Sequence, residues 1–338
     1  MCTSITLASK EGNVFFGRTM DFAAGMFGED PGSPMSIVTI PAGAQVASQL
    51  NPWTAKYAAL GVGSTGTVCL MDGVNDQGLA GDLQVLMECE HASASDLQQR
   101  NLTAVLGEEF VTFVLTHFAS VAEIKAHINE YGLLDQPLTQ GNESVETPLH
   151  FTFADTTNSA VVLEPTDNGA FKVYDSIGVM TNSPEYNWHL TNIRNYISLD
   201  KFDPKTTKKV SERVSLDPIE AGTGYGMFGL PGDYTSPSRF VRSTFLANNL
   251  DSFTADNGIN QLYSVFRTAM VPRGLERASQ DDPLSDCTRY WSGYDLTKKE
   301  MYVQTCRGLT FTAKKLNQQS QEVTYTDIEI DNLVKWVD

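Results

Sequence analysis

The alternation of apolar and polar residues in this chain comes in neighbouring short runs joined by tight turns. Thr3, Ile5 and Leu7 share one face of an opening strand, and Cys2, Ser4, Thr6 and Ala8 share the other. Lys10-Glu11-Gly12-Asn13 reads as a turn, and Val14–Phe22 returns as the second arm of a hairpin. Period two resumes at Leu149–Ala154, 160–164 and 170–174, a meander with Asn168-Gly169 as a type I′ turn. Further strands are predicted near 36–40, 57–62, 67–72, 79–86, 177–181, 287–294, 300–305 and 308–313. Helices are predicted over 102–118, from a capping box at Ser120-Val121-Ala122-Glu123 to Gly132, over 184–197 behind Ser183-Pro184, from Ser236-Pro237 to 249, and over 257–270. Strands arranged in hairpins and meanders favour antiparallel sheets covered by helices over a parallel βαβ fold. No repeat or low-complexity linker divides the chain, so 1–338 reads as one domain.

Composition removes several functions. With 24 Lys+Arg against 41 Asp+Glu the net charge is −17, which argues against nucleic-acid or anionic-membrane partners. No apolar run is long enough to span a bilayer. The N-terminus lacks a basic region followed by an apolar one, so the cytoplasm is the expected location. A secreted or periplasmic origin stays open if Met1 replaces a natural leader. Asn101 and Asn142 fit the N-x-[ST] pattern but need a secretory route to matter.

The five cysteines are Cys2, Cys69, Cys89, Cys287 and Cys306, and none forms a CxxC pair. An odd number without metal-ligand spacing argues against a disulfide framework and against zinc. Four of them read as small buried hydrophobes. Cys2 differs by position, because removal of Met1 would put a thiol and a free α-amine on one residue. An α-amine ordinarily titrates near about 7.7–8.0, so nucleophile and general base would sit together.

Arg18 and Asp21 lie on the strand facing Cys2. A guanidinium beside the thiol would enrich the thiolate, and a carboxylate near the amine would orient it. Residues three apart on a strand face opposite sides, so both reach Cys2 only if the strand bulges near Thr19-Met20. Asn182 closes a strand just before a helix, where an amide donor could serve a developing oxyanion. Gly224-Tyr225-Gly226-Met227-Phe228-Gly229 fits G-x-G-x-x-G, but the turn Leu230-Pro231-Gly232-Asp233 follows where a nucleotide site needs a helix. His117 and His127 read as packed or solvated helix residues.

Taken together, these pieces resemble the choloylglycine hydrolase family of N-terminal-nucleophile hydrolases. The resemblance rests on Met1-Cys2-Thr3-Ser4, Gly17-Arg18-Thr19-Met20-Asp21, Asp72-Gly73-Val74-Asn75-Asp76-Gln77-Gly78-Leu79, and Pro148-Leu149-His150-Phe151. It continues through Ile177-Gly178-Val179-Met180-Thr181-Asn182-Ser183-Pro184 with Trp188-His189, and Gly229-Leu230-Pro231-Gly232-Asp233-Tyr234 to Arg239-Phe240. It implies an α+β fold of the four-layer αββα type, with two stacked antiparallel sheets between helices. It implies a hydrolase of linear amides with Cys2 as nucleophile, Arg18 and Asp21 holding its thiol and amine, Asn182 at the oxyanion and Arg239 closing the network. Gln84, in Leu83-Gln84-Val85, aligns with the family's Asn or Tyr and would give its backbone N–H to the oxyanion. No metal or organic cofactor is implied. The family often forms tetramers through a protruding segment, which would fall at 198–221. An apolar pocket is expected from Met20, Phe22, Met26 and the 61–70 loop, with Val62 and Leu70. The Pro148-Leu149-His150-Phe151 run points toward penicillin V acylases. Conjugated bile salt hydrolase and N-acyl homoserine lactone acylase are the alternatives within the class. A Cys–His thiol hydrolase and a non-catalytic binder of apolar acids are the rivals outside it.

Overall fold

The opening hairpin forms as its alternation requires: Cys2–Ala8 pairs with Val14–Phe22, placing Cys2 opposite Met20 and Ser4 opposite Arg18. The computed structural model describes all residues except 29–31, 33, 141, 142, 146, 220–222, 318–320 and 338; Asn142 and two residues of the 198–221 segment lie outside the described set. Around the hairpin a six-stranded antiparallel sheet runs in the order Val179–Met180, Cys2–Ala8, Val14–Phe22, Cys287–Asp295, Glu300–Thr305, Thr312–Lys315. A ten-stranded sheet runs Thr324–Thr326, Met35–Ile40, Ala59–Ser64, Leu70–Asn75, Ala80–Val85, Leu149–Ala154, Ala160–Asp167, Ala170–Asp175, Tyr131–Leu133, Thr103–Val105.

Three apolar interfaces separate four layers. Even-numbered residues of the hairpin (Cys2, Val14, Phe16, Met20) pack between the sheets with Ile37, Leu60, Val62, Val74, Tyr290 and Tyr294. Odd-numbered ones (Ile5, Leu7, Phe15) face helices Ser236–Asn248 and Gly258–Phe266 through Phe240, Leu262 and Phe266. The far face of the larger sheet (Val38, Leu70, Phe151, Phe153) is covered by helices Phe110–His117 and Val121–His127. This is the four-layer αββα arrangement. Glycine lets the helix layer settle on the smaller sheet: a Cβ at Gly258 would lie 2.1 Å from the Phe15 ring.

Local chemistry explains where element boundaries differ from expectation. The helix predicted over 102–118 begins only at Phe110, because Thr103–Val105 pairs instead with Tyr131–Leu133 at the edge of the large sheet. Gly132 therefore sits inside a strand rather than closing a helix. Half of the capping box at Ser120 forms: its hydroxyl accepts from the Glu123 N–H, while the Glu123 carboxylate reaches one residue further back and accepts from the Ala119 N–H. Asn168 and Gly169 both adopt positive φ (45° and 78°), as a type I′ turn demands. Ser183 caps no helix; its hydroxyl accepts from the Met87 N–H, and the helix starts at Tyr186. The edge strand Thr324–Thr326 carried no legible signal in its short polar run.

Candidate active site

The thiol of Cys2 lies between the two sheets, on a residue only 4% exposed. Arg18 is two positions from Met20 on the paired strand and so shares the inward face. Its Nη2 donates to Cys2 Sγ at 2.8 Å and to Met20 Sδ at 3.4 Å. Its Nη1 donates to the carbonyls of Met71 and Leu83, both at 3.1 Å. Asp72 and Asp82 are partners in the larger sheet, and their neighbours Met71 and Leu83 are not paired. The guanidinium thus fills a gap between two strands of the opposite sheet. Burial alone would lower its basicity, but Cys2, Tyr290, Asp82 and Asp72 around it outweigh burial and raise it.

Asp21 faces the other way, toward the helix layer, with Thr3 and Thr19. Its carboxylate accepts from Thr19 Oγ1 at 3.2 Å and from the Thr288 hydroxyl. Burial raises this carboxyl, while Arg239 and the terminal amine pull it back down. Its backbone holds the chain end: the Asp21 N–H donates to the Met1 carbonyl at 2.9 Å, and the Met1 ammonium donates to the Asp21 carbonyl at 2.8 Å. The bulge expected near Thr19-Met20 is not in that strand. The register break falls on the neighbouring strand, between Thr288 and Tyr290. No bulge is needed, because Arg18 meets the thiol on one face and Asp21 meets the terminus from the other.

Asn182 Oδ1 accepts from the Cys2 nitrogen at 2.7 Å and from Arg239 Nη2 at 2.8 Å. Its Nδ2 donates one hydrogen to the Val85 carbonyl at 2.9 Å and keeps another. Arg239, fully buried on the helix Ser236–Asn248, also donates to the Cys2 carbonyl and to Thr3 Oγ1 at 2.7 Å. Two further donors fix Asn182 itself. His189 Nε2 and Ser236 Oγ reach its carbonyl at 2.8 and 2.7 Å. Burial holds the His189 imidazole below its usual value, which keeps it neutral against Phe240. Cys2, Arg18, Asp21, Asn182 and Arg239 therefore converge, from four separate stretches of sequence.

Gln84 is the exception. It stands opposite His150, two residues from Leu86, whose N–H donates to the Pro148 carbonyl at 2.9 Å. Alternation along an antiparallel ladder places the Gln84 N–H in that ladder, away from Cys2. Its side chain donates to the Ser4 hydroxyl and, at 3.4 Å, to Asp82. The neighbouring Val85 presents its backbone to Asn182 instead. A one-residue slip in a strand exchanges its edges as well as its faces.

The residues expected to line a pocket fall in different places. Met20, Met26 and Val62 share the Cys2 cluster, joined by Phe27 and Met35. Leu70 belongs to the core beneath the helices on the far side of its sheet, and Phe22 is 45% exposed at the end of its strand. A cavity of about 430 Å³ lies at the other end of the opening strand, lined by Thr6, Leu7, Ala8 and Phe253 among others, away from Cys2. Among the described residues, no group of three or more His, Cys, Asp or Glu could hold a metal, and no helix is long and apolar enough to cross a membrane. Sequence reasoning missed Ser4, Asp72, Asp82, His189, Ser236 and Thr288. Ser4 had a signal, since the hairpin register sets it opposite Arg18; Asp82 had none, because it reaches Arg18 from the other sheet.

Residues 2–328 match the choloylglycine hydrolase family of linear amide C–N hydrolases, and the chain belongs to that family. It is a hydrolase of carbon–nitrogen bonds in linear amides, on an N-terminal-nucleophile fold. It is 29% identical to the bile salt hydrolase/transferase of Clostridium perfringens over 95% of this chain and 94% of that one. It is 30% identical to the bile salt hydrolase/transferase of Lactiplantibacillus plantarum over 96% and 95%. A penicillin V acylase of Pectobacterium atrosepticum matches at 26% over 66% of this chain and 57% of its own length. The crystal structure of the C2A mutant of the conjugated bile acid hydrolase from Clostridium perfringens superposes with a TM-score of 0.86 at 28% identity, covering all of both chains. A penicillin V acylase from Agrobacterium tumefaciens superposes at 0.74 with 20% identity over 98% and 95%, a likeness of fold.

Proposed function

We propose that the protein hydrolyses conjugated bile salts, cutting the amide between a steroid acid and a small amine. The observation that carries the chemistry is the buried contact of Arg18 with the Cys2 thiol, beside an Asn182 amide that holds the Cys2 nitrogen. The thiolate adds to the amide carbonyl carbon, forming the C–S bond. Asn182 Nδ2 and the Val85 N–H hold the oxyanion. Collapse breaks the C–N bond as the α-amine of Cys2 gives its proton to the leaving nitrogen. The same amine then activates water against the thioester. This sequence needs Met1 removed, since the Cys2 nitrogen is otherwise an amide. The apolar residues Met20, Met26, Phe27 and Val62 would receive the steroid.

The near-full-length relatives support the bile salt reading over the penicillin V reading that Pro148-Leu149-His150-Phe151 suggested. That run speaks of packing: His150 is buried against Glu164 at 3.1 Å, and Leu149 and Phe151 lie in the core below the helices. We also propose a homotetramer clasped through 198–221. Its hairpin of Lys208–Lys209 and Ser215–Leu216 carries exposed Val210, Val214 and Leu216, with exposed Phe202 and Ile219 on either side.

Glycocholate and penicillin V offered side by side to the processed enzyme test the substrate. Faster release of glycine is expected; faster cleavage of penicillin V overturns it, and binding of both without cleavage restores the non-catalytic rival. Intact mass tests the mechanism. Active protein retaining Met1, or active after α-amine acetylation, would indicate a Cys–His hydrolase instead.

A further inference from the structure

Arg18 is a single buried cation facing three groups that carry negative charge when ionised: Cys2, Asp72 and Asp82. Its five N–H donors are engaged by Thr19, Met71 and Leu83 carbonyls and by the sulfurs of Cys2 and Met20. The carboxylates lie just beyond, at 3.9 Å for Asp72 and 3.6 Å for Asp82, so they act on it through charge. They differ in how their own oxygens are met. Burial pushes the Asp72 carboxyl up as well, but Arg18 and the hydroxyls of Tyr290 at 2.5 Å, Ser292 at 2.7 Å and Tyr294, which all donate to it, pull it back toward the ionised form. Asp82 receives the Ser4 hydroxyl and the distant Gln84 amide, both on Oδ2; its Oδ1 is buried and, among the described residues, has no partner.

An unpaired oxygen in a dry interior is costly for a carboxylate and tolerable for a carboxylic acid. We propose that Asp82 is a positioning residue for Cys2: it holds a proton while the thiolate is present, leaving the charge of Arg18 to the sulfur, and competes for that charge when it ionises. Burial pushes the Asp82 carboxyl up to about 7 against the pull of Arg18, which puts the exchange near neutral pH. Asp72 faces it on the paired strand and its charge also pushes the Asp82 carboxyl up, while Ser4 and Gln84 donate to it; Tyr290 and Tyr294, on the strand Cys287–Asp295, bond Asp72 instead, and His150, opposite Gln84, is paired with Glu164. Arg239 at the Cys2 carbonyl, and the Cys2 α-ammonium once Met1 is removed, also lie near the thiol, but among the described residues only Arg18 is paired with both Cys2 and Asp82.

The inference rests on the reading of Cys2 as nucleophile, and one reagent separates the two. Processed enzyme is treated with iodoacetamide across a pH series, and Cys2 alkylation is followed by mass. Asp82→Asn should move the rate–pH profile to lower pH by on the order of one unit, about tenfold in rate on the acid limb. Ser4→Ala removes a donor to the Asp82 carboxylate, favours its protonation and should shift the profile the same way. Unmoved profiles in both variants overturn the inference, even if rates fall uniformly, which is what a merely structural role gives. Amidase activity that survives complete alkylation of Cys2 overturns the nucleophile reading instead.

Discussion

The Nη2 of Arg18 lies 2.8 Å from the Sγ of Cys2, and Arg18 has no exposure to solvent. Removing one partner of a buried charge pair costs about 3–5 kcal/mol. At about 1.36 kcal/mol per tenfold, loss of that pairing in the transition state by Arg18→Met should lower kcat/KM by roughly 10²–10⁴-fold. It should also move Cys2 alkylation to higher pH, opposite in sign to the Asp82 variant. Steady-state kinetics with the alkylation profile check both; an unmoved profile would mean that Arg18 only fills space.

Asn182 presents two different atoms: Oδ1 accepts from the Cys2 nitrogen, and Nδ2 donates one hydrogen to the Val85 carbonyl and keeps another for the proposed oxyanion. Asn182→Ala should reduce kcat by about 10²–10³-fold with little change in KM, as loss of one oxyanion donor does. Asn182→Asp keeps the acceptor and loses the donor, so it should restore the orientation of the Cys2 nitrogen without restoring kcat. Recovery of the rate in the Asp variant would remove the oxyanion role.

Val85 and Gln84 should separate cleanly. The Val85 N–H lies off the strand ladder, so Val85→Pro removes a donor without breaking a strand pair. A drop in kcat of about 10²-fold with unchanged circular dichroism is expected. Gln84→Leu leaves the backbone in place and should act only through Ser4 and Asp82. Unchanged kcat in Val85→Pro would take the oxyanion away from Val85 and return it to the Gln84 N–H.

Asp82 also predicts how stability varies with pH. Its carboxyl titrates near about 3.9 in an unfolded chain, and burial pushes it up to about 7 in the fold. The folded state therefore keeps a proton that the unfolded state has lost, so this group's contribution falls as pH rises through that window and levels off above it. Asp82→Asn removes the fall. Urea unfolding of both proteins between about pH 4 and pH 7 should show the variant gaining on the wild type by up to a few kcal/mol at the neutral end. A constant difference across the window would exclude a titrating Asp82.

The alternation at 1–22 made the hairpin legible, and with it the pairing of Cys2 with Met20 and Ser4 with Arg18, because period two fixes faces wherever a turn fixes register. The meander at 149–175 and the capped helix at Val121–His127 were legible for the same local reasons. Segments that pair late in the fold were not. Thr103–Val105 read as helix because its strand partner lies at Tyr131–Leu133, and no local period reports such a contact. Leu70 reads as a pocket residue because it ends the 61–70 loop, but it lies in the core beneath the helices, past a register shift beside Val62 and Gly63 that no local pattern reports.

The sequence by itself determined which thiol stands at the second position, the hairpin that carries it and the layered class of the fold, since each depends on residue order over a few positions. The tertiary structure decided what surrounds the thiol. Asn182 and Arg239 arrive from 180 and 237 residues away, and Asp82 meets Arg18 only because two sheets stack face to face. Which backbone amide faces the site, Val85 and not Gln84, follows from the parity of a ladder with Leu149–Ala154. A single residue of register reverses that parity, and only the pairing of distant strands fixes it.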